Sequence, residues 1–243
     1  MRTPIDAIIF SAFEGEMPYY RSSIPDLEEV TLGFMSYFVG NYKGKKVALT
    51  HTGLGKVQAT SSCHFAYANF EPKMALFTGT AGAVNPTLKT GSVVIGQRCV
   101  DADLFGIHEM LEGGPFKEAL KKRHGEGLIP REYSGDERMV TAAVLSFEAA
   151  SWKKTGCLAT SDNFPSPKDK IESLRSAGID TMDMEASAFH HAALLFGIPA
   201  LAIRSVSNEL DASGGDEAIA SADIRTADRP AAIALDIIET LSF

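Results

Sequence analysis

Two groups of carboxylates in this sequence have a spacing that could serve acid–base chemistry. Glu14 and Glu16 follow a short apolar run, and Asp183 and Glu185 flank Met184 farther along the chain. Paired carboxylates can transfer protons or stabilise a positive charge that develops on a substrate. Each pair also has a purely structural interpretation. The first could be a solvated turn, and the second could be charges that favour a helix N-terminus.

Two further segments could complete a site. Gly79-Thr80-Ala81-Gly82 is predicted to be a turn of small residues, which let a ligand approach the backbone closely or simply allow tight packing. It is not a GxGxxG sequence and no P-loop lysine follows it, so a dinucleotide or Walker site is not indicated. The segment Arg204-Ser205-Val206-Ser207-Asn208 places a cation and polar groups after an apolar run. Arg204 could equally pair with a carboxylate, and Asn208 could cap a helix or form a turn.

The segments that carry these residues are predicted to be strands that alternate with helices. This alternation predicts an α/β fold with a mostly parallel or mixed sheet and helices on both faces. Ligands bind beyond the carboxyl ends of strands in such sheets, and all four segments lie at predicted carboxyl ends. The predicted strands are 6–12, a pair within 30–42, Lys45–His51, 73–78, 92–97, 156–160, Thr181–Asp183 and 200–207. The predicted helices are Lys56–Asn69, 137–150, 167–177, 185–196 and 229–241.

Length and composition exclude several classes of protein. The chain has 243 residues, a net charge of −8 and 45% hydrophobic residues, which suits one α/β domain or two small ones. The acidic balance argues against nucleic acid and anionic membranes as partners, and no apolar stretch of about 18 residues predicts a membrane span. The N-terminus lacks the pattern of a secretory signal. Scattered Cys63, Cys99 and Cys157 favour a reducing cytoplasm over a disulfide framework or a zinc site. Residues 101–135 lack periodicity and predict a functional loop or an interface element.

Five motifs occur in an order that is similar to one known superfamily. They are Gly79-Thr80-Ala81-Gly82, Leu88-Lys89-Thr90-Gly91-Ser92-Val93-Val94, Asp101-Ala102-Asp103, Met182-Asp183-Met184-Glu185-Ala186 and Ile203-Arg204-Ser205-Val206-Ser207. In this combination the chain resembles the purine nucleoside phosphorylase/uridine phosphorylase superfamily. Within it, the 5′-methylthioadenosine/S-adenosylhomocysteine nucleosidases and the futalosine hydrolases are most similar. The resemblance implies one catalytic domain over residues 1–243, with a central mixed, partly barrel-like sheet flanked by helices. It also implies cleavage of a purine nucleoside, a homodimer, and no metal or cofactor.

The nucleophile can be argued from the residues before the Gly79 segment. Phosphorolytic members of the superfamily carry an arginine there, which holds phosphate. This chain has Ala75-Leu76-Phe77-Thr78 instead. Because phosphate recognition calls for a guanidinium or a similar cation, the absence favours water, and therefore a hydrolase. Lys89 or Arg98 could still supply a cation from elsewhere.

The resemblance also implies roles for individual residues. Glu16 corresponds to the glutamate that activates water, with Glu14 as the alternative if the turn differs. Glu185 corresponds to the glutamate that binds the ribose hydroxyls, Arg204 orients the carboxylates, and Asn208 faces the leaving base. The predicted catalytic residues are Glu16, Glu185, Arg204 and Asn208. The predicted substrate-binding residues are Phe13, Leu54, Thr80, Ala81, Gly82, Phe105, Phe164, Pro165, Asp183 and Met184. Among these, Met184 would pack on the sugar, Thr80 would lie by the water and Phe164 would stack on the purine. Leu54, Phe105 and His108 would line the pocket for the 5′-substituent.

Two departures from the adenine-releasing members concern the base. Those enzymes have an aspartate as general acid where this chain has Asn208, and an amide can donate a hydrogen bond but not a proton. They also use a backbone N–H where this chain has Pro165, which has none. Both departures favour a 6-oxopurine, as in futalosine hydrolases. In the opposing interpretation, Glu209 or Asp211 replaces the acid.

Three functions therefore remain open at this point. The favoured one is a hydrolase of a 5′-modified purine nucleoside. The alternatives are a purine nucleoside phosphorylase and a non-catalytic nucleoside-binding protein of the same fold, the latter because of Asn208.

Overall fold

The computed structural model describes residues 2–104, 132–147, 150–164, 166–210 and 222–242. The strands in these ranges are β1 (Thr3–Ser11), β2 (Glu28–Leu32), β3 (Met35–Tyr42), β4 (Lys45–His51), β5 (Phe70–Ala83), β6 (Val93–Asp101), β7 (Tyr133–Ser134), β8 (Lys153–Thr160), β9 (Thr181–Asp183) and β10 (Ala200–Glu209). The helices are α1 (Pro18–Ser23), α2 (Lys56–Asn69), α3 (Glu137–Leu145), α4 (Lys168–Ser176), α5 (Ala186–Phe196) and α6 (Asp228–Thr240). Two 3₁₀ helices cover Glu14–Glu16 and Ile224–Ala227.

The sheet is mixed and closes on itself over part of its width. Its strand order is β10-β6-β8-β9-β5-β1-β4-β3-β2, with β7 on β6, and β10 also pairs with β5. Strands β5, β10, β6, β8 and β9 therefore form a closed barrel, from which β1, β4, β3 and β2 extend as an open sheet. β5 is parallel to β1 and β10 but antiparallel to β9. The predicted α/β fold with a mixed, partly barrel-like sheet is confirmed.

Alternate residues of the central strands bury their side chains on opposite faces of the sheet. In β1, Ile8 and Phe10 join the cluster that holds Phe189 of α5 and residues of α2, whereas Ala7 and Ile9 join a cluster with α1, α3 and α6. A strand that is apolar on both faces is typical of a sheet covered by helices on both sides. Complete burial of each such aliphatic or aromatic side chain stabilises the fold by roughly 1.5–3 kcal/mol.

The structure corrects several of the predicted elements. Gly79 to Gly82 lie inside β5 and do not form a turn after it, and Asn208 lies inside β10 and does not cap a helix. Helix α3 ends at Leu145, earlier than predicted, and Phe147 has a positive φ of 51°. The patterns did not predict α1, which is only six residues long, or β7, which has two. β4, α2 and β9 have the predicted bounds.

None of the helices within the described ranges is long and apolar enough to cross a membrane. The three cysteines, Cys63, Cys99 and Cys157, are buried and unpaired.

Candidate active site

The pairing of β5 with β9 and with β10 brings the predicted residues together. β5 lies between β9 and β10, so Gly82 pairs with Met182 on one side and with Asn208 on the other. The same parallel pairing aligns Arg204 with Gly79. Because β9 is antiparallel to β5, the chain runs back along β5 after Met182, and Asp183 and Glu185 thereby reach Arg204 at the same end of the barrel as the polar end of β10.

Glu16 is buried at this end, and its carboxylate binds β5 directly. Its Oε1 accepts hydrogen bonds from the backbone N–H of Thr80 (2.7 Å) and the Thr80 hydroxyl (2.9 Å), and its Oε2 accepts one from the N–H of Ala12 (2.9 Å). Burial raises the pKa of Glu16, although the nearby Arg204 charge and these hydrogen bonds oppose the shift. A buried carboxylate with a raised pKa is suited to accept a proton.

Gly79 is the residue that makes room for this carboxylate. A Cβ atom built at Gly79 would lie 2.4–2.6 Å from the carboxyl atoms of Glu16. No side chain fits at such a distance, so the close approach of Glu16 to β5 requires glycine here. Gly82 has a similar constraint, because its Cβ would lie 2.7 Å from the side chain of Leu210.

Arg204 joins both members of the second acidic pair. Its Nε donates to Asp183 Oδ2 at 2.7 Å, and its Nη2 lies 3.4 Å from Glu185 Oε2. All three side chains are almost fully buried, and the guanidinium lies 4.4 Å from the centroid of the Phe77 ring. The remaining nitrogen, Nη1, is buried and has no hydrogen-bond partner among the described residues. A buried donor of this kind is available to a ligand.

Asp183 is a structural anchor as well as a partner of Arg204. Its Oδ1 accepts hydrogen bonds from the Thr160 hydroxyl (2.7 Å) and from the backbone N–H groups of Glu185 and Ala186 (both 3.2 Å) at the start of α5. The carboxylate therefore fixes the direction of α5 and the position of Glu185. Asp183 therefore fits the structural interpretation of this pair, in which an acidic side chain stabilises a helix N-terminus.

Glu185 has one oxygen on Arg204 and the other on a backbone amide. Its Oε1 accepts a hydrogen bond from the N–H of Gly55 at 3.0 Å. Burial raises the pKa of Glu185 to about 7, with the Arg204 charge opposing the shift. The carboxylate is thus held in place at two points and is costly to keep ionised in the absence of a ligand.

Asn208 presents its amide nitrogen without a protein partner. Its Oδ1 accepts a hydrogen bond from the Ser207 hydroxyl at 2.8 Å, and its buried Nδ2 has no partner among the described residues. Glu209 is directed elsewhere: it forms an ion pair with Lys89 at 2.7 Å and is about half exposed. In this geometry Glu209 does not share the environment of Asn208.

The other predicted residues are more exposed or lie outside the described ranges. Leu54 and Phe164 are 59% and 42% exposed, and Phe13 and Met184 are half-buried. Apolar side chains in such positions can cover a bound ligand. Phe105, His108, Pro165 and Asp211 lie outside the described residues.

Two of the alternatives are placed away from the site. Glu14 is exposed and forms an ion pair with Arg21 at 2.9 Å, so Glu16 is the member of the first pair that faces β5. Arg98 is also largely exposed and pairs with Glu132 at 2.7 Å. In the described part of the chain, no group of three or more His, Cys, Asp or Glu side chains could hold a metal ion.

Several contributors were not found from the sequence. Phe77, Thr160 and the backbone N–H groups of Ala12 and Gly55 all support the charged side chains. The only sequence signal among them was the Gly53-Leu54-Gly55 segment. Gly55 has a φ of 91°, which favours glycine and turns its N–H toward Glu185.

Comparison with known proteins gives a consistent result. A family model described as the phosphorylase superfamily matches residues 6–239. The 5′-methylthioadenosine/S-adenosylhomocysteine nucleosidase of Listeria monocytogenes serotype 4a is 30% identical over 210 residues, which covers 82% of this chain and 84% of that protein.

Two solved structures share the fold at lower identity. The nucleosidase of the same name from S. pneumoniae, with the transition-state inhibitor MT-ImmA, has a TM-score of 0.82 and 24% identity, with 98% of this chain and 100% of that chain covered. Futalosine hydrolase of Helicobacter pylori strain 26695 has a TM-score of 0.79 and 22% identity, with 98% and 99% covered. The match over nearly the whole chain confirms the resemblance predicted from the motifs, and the protein belongs to the phosphorylase superfamily.

Proposed function

We propose that this protein hydrolyses the N-glycosidic bond of a 5′-modified purine nucleoside, and that residues 1–243 form one catalytic domain. The observation that carries the proposal is the pair of buried carboxylates, Glu16 and Glu185, both close enough to Arg204 to feel its charge, together with the buried Arg204 Nη1, which has no hydrogen-bond partner in the described part of the chain. Departure of the base leaves a positively charged ribosyl group, which nearby carboxylates stabilise. The names of the similar nucleosidases agree with this chemistry.

Glu16 is the proposed general base. Three donors occupy its two oxygens, and a carboxylate can accept about four hydrogen bonds, which leaves one position for a water molecule. The raised pKa makes the ionised form a stronger base, so proton transfer from water becomes easier. The Thr80 hydroxyl donates to Glu16 and so orients it; the water would lie beside both.

Glu185 and Arg204 are the proposed sugar-binding groups. Glu185 would accept hydrogen bonds from the ribose hydroxyls, and Met184 would pack against the ring. Arg204 Nη1 would bind the attacking water or a hydroxyl, because a buried guanidinium nitrogen without a partner gains most from a ligand oxygen. Asp183 keeps the guanidinium in the orientation that this requires.

Water is favoured over phosphate because cations are scarce in the described part of the site. Arg204 already uses two of its nitrogens on carboxylates, and Lys89 and Arg98 form ion pairs outside the buried region. A phosphate dianion beside Glu16 and Glu185 would need more positive charge than a single guanidinium nitrogen supplies.

Asn208 supports a 6-oxopurine as the leaving base. Its Oδ1 is occupied by Ser207, so the group available to a ligand is the donor Nδ2. A 6-oxopurine presents two acceptors on that edge, O6 and N7, whereas adenine presents N7 beside a donor amino group. Glu209 is engaged with Lys89, which leaves the amide as the described group suited to this edge. Phe164 would stack on the purine, and Leu54, with Phe105, would face the 5′-substituent.

A homodimer is the proposed assembly. Helices α2 and α5 run side by side from the site, as the Gly55–Glu185 hydrogen bond at one end and the His64–Phe196 ring contact at the other indicate. Their outer surface carries exposed apolar side chains, with Val57 76% and Leu194 61% exposed. Surfaces of this kind mark protein interfaces, and a second copy of the chain is the occupant we propose. The buried, unpaired cysteines support a cytoplasmic location.

A turnover assay tests the function. Purified protein is mixed with methylthioadenosine, adenosylhomocysteine, futalosine and inosine, with and without phosphate, and the free base and the sugar product are separated by chromatography. We expect free base and unphosphorylated sugar without phosphate, with futalosine preferred. A Glu16→Gln variant purified in parallel controls for contaminating nucleosidases. Product formed only with phosphate would indicate a phosphorylase, and binding without turnover would indicate a non-catalytic protein.

A further inference from the structure

A second cluster of charged side chains lies next to the buried site. The Lys56 ammonium binds both oxygens of Asp101 (3.0 and 3.1 Å) and Asp103 (2.8 Å), and the Lys56 side chain is only 21% exposed. Asp103 also accepts hydrogen bonds from the Ser161 hydroxyl (2.7 Å) and the N–H of Asp162 (2.9 Å). Lys56 therefore ties the start of α2 to the end of β6 and, through Asp103, to the loop that carries Phe164.

The backbone of the same segment reaches the site. The N–H of Lys56 donates to Asp162 Oδ1 at 2.8 Å, and the preceding N–H, of Gly55, donates to Glu185 Oε1 at 3.0 Å. Two consecutive amides at the N-terminus of α2 thus hold two carboxylates, an arrangement that the helix dipole favours. The Gly55 N–H lies in the Leu54–Gly55 peptide unit, which meets the Gly55–Lys56 peptide unit at the Gly55 Cα, so fixing Lys56 restricts where the Gly55 amide can lie.

We propose that Lys56 is a positioning residue for the sugar-binding carboxylate: by anchoring the start of α2 to Asp101 and Asp103, it holds the Gly55 amide against Glu185. The expected loss of activity rests on the proposed function, whereas the expected change in the position of the Gly55 amide does not. The roles of Lys56 and Glu185 are distinct, since Lys56 acts through the backbone and Glu185 contacts the substrate.

Loss of the ammonium would release this anchor. Asp101 and Asp103 would lose their attraction to the Lys56 ammonium, and with it the ion pairs that hold the start of α2 to the end of β6. The Gly55 amide would then move, and Glu185 would keep only its 3.4 Å contact with Arg204. Small displacements of a positioned group are costly when the group acts chiefly in the transition state. We therefore expect Lys56→Met to lower kcat about 10- to 100-fold, with a smaller change in KM.

A double-mutant cycle separates this role from general destabilisation. If Lys56 acts through Glu185, Lys56→Met should cost much less in a Glu185→Gln background than in the wild type. Lys56→Arg restores the cation and should recover most of the activity. Lys73→Met is the matched control: it removes the Lys73–Asp6 ion pair (2.8 Å) at the amino ends of β5 and β1 and should leave kcat unchanged. Full additivity in the cycle would overturn the proposal.

An NMR titration tests the geometry without turnover. In the wild type, the Gly55 amide resonance should follow the titration of Glu185, which is also faced by Arg204, Asp183 and Glu16. The titration should vanish in Glu185→Gln, which assigns it, should be strongly reduced in Lys56→Met, and should persist in Lys73→Met. An unchanged Gly55 titration in Lys56→Met overturns the positioning role even if the enzyme hydrolyses nucleosides. If the wild type is inactive but its Gly55 titration is lost in Lys56→Met, the positioning role is supported and the proposed function is rejected.

Discussion

Two neighbouring clusters of this molecule use the same kinds of side chain in opposite ways. We call one the buried cluster: Glu16, Asp183, Glu185 and Arg204. We call the other the rim cluster: Lys56, Asp101, Asp103 and Lys170. In the buried cluster, burial raises the pKa values of Glu16 and Glu185, and Arg204 retains an unpaired nitrogen. In the rim cluster, burial also disfavours the Asp103 carboxylate, but hydrogen bonds from Lys170, Lys56 and Ser161 outweigh it and lower its pKa.

The difference lies in how completely each charge is satisfied. The rim cluster gives Asp103 two ammonium groups, a hydroxyl and an amide, so it can hold chain segments together without a ligand. Among the described residues, the buried cluster leaves a donor without a partner and a negative charge that is costly to bury, and a bound molecule could satisfy both. Residue type alone does not distinguish binding from structural charges; burial and the number of partners do.

The largest expected effect is loss of turnover on removing the proposed base. Glu16→Gln should lower kcat about 10²- to 10⁴-fold, because the amide cannot take a proton from water. Asp103→Asn in the rim cluster should lower kcat by much less while it lowers the free energy of unfolding. Steady-state kinetics and urea unfolding of both variants check this. Equal losses of kcat in Glu16→Gln and Asp103→Asn would show that the buried cluster and the rim cluster do not differ in function.

Removal of the central cation should cost the most stability. Arg204→Met leaves Asp183 and Glu185 buried without a counter-charge, and we expect a loss of about 3–5 kcal/mol in the free energy of unfolding. The exposed ion pair of Lys73 provides the reference, and Lys73→Met should cost at most about 1 kcal/mol. Denaturant unfolding measures both. A loss of similar size in the two variants would contradict the proposed cost of an unpaired buried carboxylate.

Asn208→Asp adds a carboxyl group to the buried region without a new cation. Burial should keep this group protonated near neutral pH, so it could donate a proton to a leaving base. We expect the ratio of adenine to hypoxanthine release to rise about tenfold or more, and release to decline at alkaline pH as the new acid ionises. Glu209→Gln should change neither property, since Glu209 pairs with Lys89. An unchanged base preference in Asn208→Asp would argue against this residue as the determinant.

The smallest expected effect is a pH dependence of stability with a defined sign. The Glu185 pKa is raised from 4.5 to about 7 on folding, so between these values the folded state binds more protons than the unfolded state. The Glu185 contribution to stability therefore falls as pH rises from 5 to 7. The Asp103 contribution to stability has the opposite pH dependence. It is present above pH 3.8 and is lost as the pH falls from 3.8 through the lowered Asp103 pKa. Urea unfolding at pH 5 and 7 measures the free energy of unfolding of the wild type and of Glu185→Gln. The value for Glu185→Gln should rise relative to that of the wild type as pH rises. A difference that is the same at both pH values would rule out the raised Glu185 pKa.

The sequence predicted most strands and helices because their patterns are local. The limits of β4, α2 and β9 were predicted correctly, and glycines mark some of them: Gly44 precedes β4 and Gly55 precedes α2. The Gly79 segment was misread as a turn, because small residues favour turns in isolation. In the folded chain, β9 and β10 supply hydrogen bonds on both sides and keep it in β5.

The site was predictable by residue type but not by arrangement. The motifs predicted Glu16, Glu185, Arg204 and Asn208, with Glu14 as the alternative to Glu16, and the fold places Glu16 against β5 and Glu14 in an exposed ion pair. The Ala12 and Gly55 amides contribute backbone atoms, which side-chain patterns do not report. Asp101-Ala102-Asp103 was recognised as a motif, but these residues lie 45 and 47 positions from Lys56, so no local pattern could show that they pair with it.

Closure of the barrel by the β5–β10 pairing also has a kinetic meaning. Arg204 meets Gly79 across that pairing, so the buried cluster joins segments separated by more than half of the chain. Contacts between such distant segments close large loops and form slowly during folding. Turnover can begin only after β10, the last strand in the described part of the chain, has docked. The recovery of catalysis during refolding therefore reports the rate at which the barrel is completed.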